Sequence, residues 1–329
     1  MKTVEETKYL YIDYGMVRNF KYYYRRILLF FHDIFYFFII SYFNKRKFKP
    51  RETKYYLSIC AIFRDEGIFL KEWIEYHLIA GVEHFYLYNN FSDDHYKEVL
   101  QPYIDKGIVD LTEWPVPYGQ FAAYEDFWKK YKNETKWICF IDIDEFFCPL
   151  YETDLKVWLK KYEKYPSILV YWKMFGTSGI IEHDPAKLSL EQYTVCWDKL
   201  RTLGKNIANT DWDFEDEHLH HIYTKIRVGR RNIAIPPINV FGKFVKWNIH
   251  RLKRDRVSDS CNFALQLNHY WSRAWNIYEG KMGKGNALSE EWFNIRKRQE
   301  YFDHHEFRNK AVDYKIFRFL LKLKMAMAE

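Results

Sequence analysis

An apolar run ends in three carboxylates at Phe140-Ile141-Asp142-Ile143-Asp144-Glu145-Phe146-Phe147. Successive side chains of an extended strand point to opposite faces, so Asp142 and Asp144 face the same way. Two acids converging at a strand end are natural ligands of a hard divalent cation, Mn²⁺ or Mg²⁺, and a bound diphosphate brings further oxygens to that cation. The cation then acts as a Lewis acid, taking up the negative charge that a leaving diphosphate gains as its bond breaks. A D-x-D triplet recurs by chance in many chains, and its weight here comes from its position. Glu145 is read as fixing a neighbouring backbone or a basic side chain.

The elements that must hold this segment follow from hydrophobic spacing. A strand is predicted over 56–63, then a helix over 66–80 with Ile68, Phe69, Trp73, Tyr76 and Leu78 at helical spacing, closed by Gly81. A second strand over 84–88 ends at Asn89-Asn90, and Ser92-Asp93-Asp94 caps a helix running to about 103. A third strand over 107–111, a helix over 121–131 and a wholly apolar fourth strand over 136–141 complete the series. Such alternation predicts an α/β fold, Rossmann-like, with a mostly parallel sheet covered by helices on both faces. Ligands of such sheets bind beyond the carboxyl ends of the strands. Those ends carry Arg64-Asp65-Glu66, Asn89-Asn90, Glu113 and Asp142, a polar cluster where a nucleotide site belongs. Gln120 and Tyr124 are candidates to line the same pocket, whereas Trp73 and His77 are read as packing residues.

Beyond Pro149 the texture changes. A fifth strand over 167–171 leads to the loop signal Met174-Phe175-Gly176-Thr177-Ser178-Gly179. Residues 190–231 are polar and read as an irregular, acceptor-facing insertion. They include Asp211, Asp213, Glu215, Asp216 and Glu217, followed by His218, His220 and His221, which are read as solvent-exposed rather than as a metal site.

With 329 residues, 48% hydrophobic and 20% aromatic, and only 13 Gly and 9 Pro, the chain is neither disordered nor fibrous. The organisation expected is an extension over 1–54, one main domain over 55–285 with a nucleotide half (55–150) and an acceptor half (151–285), and helices over 286–329. The formal charge of +7 resides entirely in residues 1–56, which hold twelve Lys and Arg against five Asp and Glu. A nucleic-acid binder would carry its surplus on the folded domain, so that class is set aside. The five cysteines are an odd count without C-x-x-C spacing, which argues against a disulfide scaffold or a zinc site and fits a reducing, cytoplasmic setting.

The basic surplus flanks an apolar run over 27–43, with Arg25 and Arg26 before it and Lys45, Arg46, Lys47 and Lys49 after it. Its 17 residues include His32 and Asp33 and fall short of the about 20 apolar residues that a spanning helix needs. The run begins far from Met1 and has no small-residue cleavage site, unlike a signal peptide. The expectation is a segment that meets an anionic membrane surface from the inner face, against a helix packed on the protein's own core. Residues 311–325 place Lys315, Arg318 and Lys322 on one helical face, a second basic amphipathic segment.

Five separated motifs occur in order: Ile62-Phe63-Arg64-Asp65-Glu66, Glu72-Trp73-Ile74-Glu75-Tyr76-His77, Gly81-Val82-Glu83-His84-Phe85, Trp137 through Phe146, and Leu267-Asn268-His269-Tyr270. Over about residues 55–285 this series resembles glycosyltransferase family 92 and its family-2-like bacterial relatives, enzymes of GT-A fold. The resemblance implies sugar transfer from a nucleotide-sugar donor; the animal members use UDP-galactose with inversion. It implies that Arg64 and Glu66 contact the nucleotide with Asn89 or Asn90 beside it. It further implies that Asp142 holds the ribose side of the donor directly or through the metal, that Asp144 ligates the metal, and that His269 completes the metal shell. Arg64-Asp65 stands where relatives commonly carry Lys-Asn, which keeps the cation and alters the hydrogen bonding. Inversion needs a carboxylate to take the acceptor hydroxyl's proton, and Glu182, Asp211 and Asp213 are the candidates.

The expected function is metal-dependent glycosyl transfer, from a UDP-sugar to a glycan or lipid-linked oligosaccharide in surface polysaccharide synthesis. A nucleotidyltransferase would also use paired acids and a metal, but would show a Gly-rich basic loop after its first strand, and Ile62–Gly67 is not one. The alternative from another class is a catalytically inactive sugar-binding scaffold of the same fold, against which Asp142, Asp144 and His269 stand intact.

Overall fold

The computed structural model describes residues 10–11, 20–47, 51–214, 224–228, 231–245, 264–284, 289–296 and 299–328. A long helix, α1 (Phe20–Lys47), precedes the first strand of a nine-stranded sheet. There follow β1 (Tyr55–Phe63), α2 (Gly67–Ile79), β2 (His84–Asn89), α3 (Tyr96–Asp105), β3 (Val109–Glu113), α4 (Gln120–Tyr131) and β4 (Thr135–Phe140). These four strands pair in parallel in the order β3-β2-β1-β4, as the alternating pattern predicts. Alternate residues enter different cores: Leu57, Ile59 and Ala61 join Trp73 of α2 and Leu100 of α3, while Cys60 and Ile62 join Ala123 and Phe127 of α4. Helices therefore cover both faces.

The second half is mixed rather than parallel. It comprises β5 (Glu145–Pro149), β6 (Ser167–Met174), β7 (Gly204–Asn209), β8 (Ile238–Asn239) and β9 (Leu265–His269). The sheet continues from β4 as β4-β7-β6-β9-β5, with β8 alongside β6. β7 runs antiparallel to both β4 and β6, and β5 antiparallel to β9. This corrects the expectation of an irregular stretch over 190–231, since β7 occupies the middle of the sheet with all six residues buried. Periodicity missed it because Gly-Lys-Asn-Ile-Ala-Asn has no apolar run. Gly204 is required there: a Cβ would lie 1.9 Å from the Val170 carbonyl oxygen of β6. Glu215, Asp216, Glu217, His218, His220 and His221 lie outside the described residues.

After β9 come α6 (Trp275–Lys284), following the short α5 (Leu155–Leu159), then α7 (Glu290–Arg296), α8 (Gln299–Glu306) and α9 (Leu320–Ala328). The C-terminal segment is packed on the domain rather than free, because Ile316, Phe319 and Leu323 enter the same core as Leu57 and Trp73. Arg318, expected on a free basic face, donates to the carbonyl oxygen of Leu150 at 2.7 Å.

Helix α1 packs on the domain along one face and leaves its other apolar residues exposed. Tyr36, Ile40 and Phe43 form a narrow stripe against Trp212, Ile235 and Phe244, while Ile27, Phe30, Phe31, Phe35, Phe37 and Phe38 are exposed. Ile27–Lys45 is by length and composition apolar enough to cross a membrane. The helix docks at the amino end of the sheet: Asn44 donates to the Lys164 carbonyl oxygen at 3.0 Å, just before β6 begins. Among the described residues Cys60, Cys139, Cys148 and Cys196 are buried and free, as the spacing implied.

Candidate active site

β4 ends at Phe140, and the chain turns through Asp142 to Glu145, closed by the Glu145 N–H donating to the Asp142 carbonyl oxygen at 3.0 Å. Glu145 braces this turn. Its carboxylate accepts from the Asp142 N–H at 3.1 Å and from the Trp172 indole at 2.8 Å, and its carbonyl oxygen accepts from Trp73 Nε1 at 2.9 Å. Burial pushes the Glu145 carboxyl well above the usual range, with Lys205 opposing the rise. Trp73 therefore supports the site from the core, beyond simple packing.

Asp142 is held from two sides, its Oδ2 accepting from Lys205 Nζ at 2.9 Å and its Oδ1 from Gln120 Nε2 at 3.2 Å. Gln120 also reaches the Tyr124 hydroxyl at 3.2 Å, so Gln120, Tyr124 and Asp142 share one wall. Lys205 comes from β7, whose antiparallel register with β4 returns it to the turn.

Asp144 meets His269 because β9 pairs with β5 so that His269 stands opposite Glu145. The Tyr270 N–H donates to the Asp144 carbonyl oxygen at 2.8 Å, and His269 Nε2 lies 3.5 Å from Asp144 Oδ1. Burial pulls the His269 imidazole down to about 3 despite the neighbouring Asp144, so the ring is neutral near pH 7. Burial also pushes Asp144 up, but Lys281, His269 and Arg273 outweigh it and hold the carboxyl well below the usual range. An ionised acid and a neutral imidazole are the forms that bind a divalent cation.

Glu66 joins the cluster from the end of β1. It pairs with Arg273, and Lys281 lies 3.5 Å from its other oxygen and 2.8 Å from Asp144. Arg273 is fully buried at a positive φ of 54°, donates to the Ile143 carbonyl oxygen at 3.0 Å and stacks 3.4 Å over the Phe69 ring. A residue held in the left-handed region marks a backbone fixed by its surroundings.

Asp144 and His269 fit a divalent cation in part. Asp144 Oδ1 is buried without a hydrogen-bond partner among the described residues and faces His269. Two side chains are thus placed to share a cation, and no group of three or more acid, His or Cys ligands occurs among the described residues. Further oxygens would have to come from a bound phosphate or water, the usual mode for Mg²⁺.

The other expected site residues divide. Arg64 is exposed at the end of β1, its guanidinium 5.9 Å over the ring of exposed Phe91. Asn89 donates to the Tyr96 hydroxyl at 2.8 Å and to Glu113 at 2.6 Å, and Asn90 to the carbonyl oxygens of Trp114 and Val116 at 2.8 and 2.9 Å. Both asparagines shape the loops after β2 and β3. Glu182 is exposed on a loop whose Ile180 and Ile181 carbonyl oxygens accept from the first two N–H groups of α6. Asp211 and Asp213 are not brought to the cluster: they pair with Lys136 and Lys132 at the amino end of β4. Six residues of strand, about 20 Å, separate Lys136 from Asp142.

Lys205, Arg273 and Lys281 escaped the reading of the sequence. Nothing in their neighbours distinguishes them from surface cations, and only the strand register and the placement of α6 gather them.

The sequence profile of glycosyltransferase family 92 matches residues 54–300. A family 92 protein of Ricinus communis is 32% identical over 238 residues, 71% of this chain and 38% of that protein, so the chain spans about two fifths of its length. A family 92 protein of Arabidopsis thaliana is 33% identical over 104 residues, 31% of this chain and 18% of its own. Beta-1,4-galactosyltransferase galt-1 of Caenorhabditis elegans is 31% identical over 115 residues, 31% of this chain and 27% of its own. Among solved structures, S. aureus TarS aligns over 76% of this chain and 43% of its own at 12% identity, with a TM-score of 0.36. TarS 1–349 in complex with UDP-GlcNAc aligns over 49% of each chain at 15% identity, with a TM-score of 0.33. Both likenesses are too slight to carry an argument about ligands. Motif order, parallel first half and the profile match agree: this chain is a member of glycosyltransferase family 92.

Proposed function

We propose that the chain transfers a hexose from a UDP-sugar to a hydroxyl of a glycan or lipid-linked oligosaccharide, with inversion, in surface polysaccharide synthesis. The observation that carries this reading is the buried Asp144 Oδ1, unpartnered by hydrogen bonds among the described residues and facing neutral His269, in the same turn as Asp142. The name of galt-1 favours galactose as the sugar. Bound between Asp144, His269 and the donor diphosphate, Mn²⁺ or Mg²⁺ would supply Lewis-acid neutralisation of the leaving group.

The chain's own residues do the positioning. Asp142, fixed by Lys205 and Gln120, faces the ribose side of the donor. Arg64 and Phe91 offer an exposed cationic and aromatic surface for the nucleotide at the end of β1 and β2. Of the three base candidates, Glu182 is the one on the loop that packs against α6, the helix bearing Lys281. Its carboxylate would take the acceptor hydroxyl's proton as the new bond forms at the anomeric carbon and the bond to the diphosphate breaks. Peripheral attachment to the inner, anionic membrane face through α1 places the enzyme beside lipid-linked acceptors.

Titration calorimetry of UDP with and without Mn²⁺, on the wild type and on Asp144→Asn, tests the reading. UDP binding that requires Mn²⁺ and is lost in Asp144→Asn is expected. Binding indifferent to Mn²⁺, or none, would make the segment 142–145 a structural turn and the protein a scaffold.

A further inference from the structure

The acidic cluster is served by three cations that differ in access. The side chains of Lys205 and Arg273 are 1% and 0% exposed, whereas Lys281 keeps 31%. Of the carboxylates it touches, Glu66 keeps Arg273 without it, while Asp144 accepts a hydrogen bond from Lys281 at 2.8 Å and has the neutral His269 ring 3.5 Å from its other oxygen. Its Nζ lies 2.8 Å from Asp144 and 3.5 Å from Glu66, across the ends of β4 and β1 where a ligand of this sheet arrives. An ammonium has three donors, and the hydrogen bond to Asp144 uses one of them, with Glu66 at ion-pair distance. The helix beneath it is anchored: the N–H groups of Trp275 and Asn276 donate to Ile180 and Ile181 at 3.1 and 2.9 Å. Lys281 therefore stands as an accessible cation on a fixed mount, shared between Glu66 and Asp144.

We propose that Lys281 is a ligand of the donor's diphosphate. On donor binding its ammonium passes from the Glu66–Asp144 pair to a phosphate oxygen, leaving Glu66 to Arg273 and freeing an Asp144 oxygen for other ligands. No covalent bond forms or breaks; one charge-assisted contact replaces another. Two cationic groups, the lysine and a divalent ion, would then share the charge of the leaving group. This inference rests on the UDP-sugar reading of the same site.

The test is calorimetric titration of UDP at saturating Mn²⁺ into the full chain as wild type, Lys281→Gln and Lys281→Arg, with Mn²⁺ binding followed separately by the resonance of the free ion. Lys281→Gln should bind UDP about tenfold to hundredfold more weakly, while its Mn²⁺ binding is unchanged or tighter, and Lys281→Arg should regain most of the UDP affinity. If Lys281 only neutralises Asp144, removing it relieves competition, and UDP then binds Lys281→Gln as well as or better than wild type. That result overturns the inference and leaves the donor reading standing. A wild type that binds no UDP overturns both.

Discussion

Lys205 is an ammonium at 1% exposure, which is tolerable only because Asp142 and Glu145 surround it. Burial lowers its pKa, and the two carboxylates more than restore it, so the net shift is upward and the charge is kept. Replacing it by methionine fills the same space and strands both acids. Lys205→Met is expected to lose about 3–5 kcal/mol of unfolding free energy, read from urea transitions; a loss under about 1 kcal/mol would show that the pair behaves like a surface bridge. At this scale the sequence was informative where chemistry interrupts a pattern. Acids at the end of a wholly apolar strand stand out, and Asp142 and Asp144 could be found by eye. Lysines and arginines in polar stretches do not, because solvent-exposed and buried cations have the same neighbours in one dimension. The structure brought Asp142, Asp144, His269, Glu66 and Gln120 together, and sent Asp211 and Asp213 to the other end of the sheet.

The elements of the first half were legible because β1, β2 and β4 are largely apolar on both faces, as a doubly covered parallel sheet demands, the edge strand β3 alternates, and each helix repeats its apolar residues at helical spacing. β7 was not. It lies at the sheet centre with Lys205 and two asparagines, polar residues retained there because one of them serves the acid turn. What the sequence does carry is Gly204, the point of closest approach between β7 and β6. Gly204→Ala would push a methyl group to within 1.9 Å of the Val170 carbonyl oxygen, a backbone atom that cannot step aside. The expected outcome is a loss above about 4 kcal/mol or failure to accumulate as soluble protein, measured by denaturant unfolding. A wild-type transition would mean that the two strands are not paired in this register.

At the scale of the whole molecule, α1 leaves most of its apolar surface exposed. Its docking stripe is narrow, while Phe30 and Phe38 are 61% and 65% exposed and all of the net positive charge lies in residues 1–56. An apolar surface next to a basic surplus suits an anionic bilayer. The double variant Phe30→Ser with Phe38→Ser spares Tyr36, Ile40 and Phe43, so the fold should persist while affinity for phosphatidylserine-containing vesicles at low salt falls at least about tenfold. Sedimentation with such vesicles reads the difference. Equal sedimentation of both proteins, or none by the wild type, removes the membrane from the account.

Were the enzyme attached to a membrane through α1, as proposed, the placement of that helix would also limit which hydroxyl could be the acceptor. The helix packs at the amino end of β6 and the acid cluster lies beyond the carboxyl end of β4, with the length of β6, about 23 Å, between them. An enzyme resting on α1 would hold its reaction centre above the headgroups by that height, out of reach of a sugar attached directly to a lipid phosphate. It would act on the outer end of a chain already several sugars long, as an elongating or capping enzyme rather than a priming one.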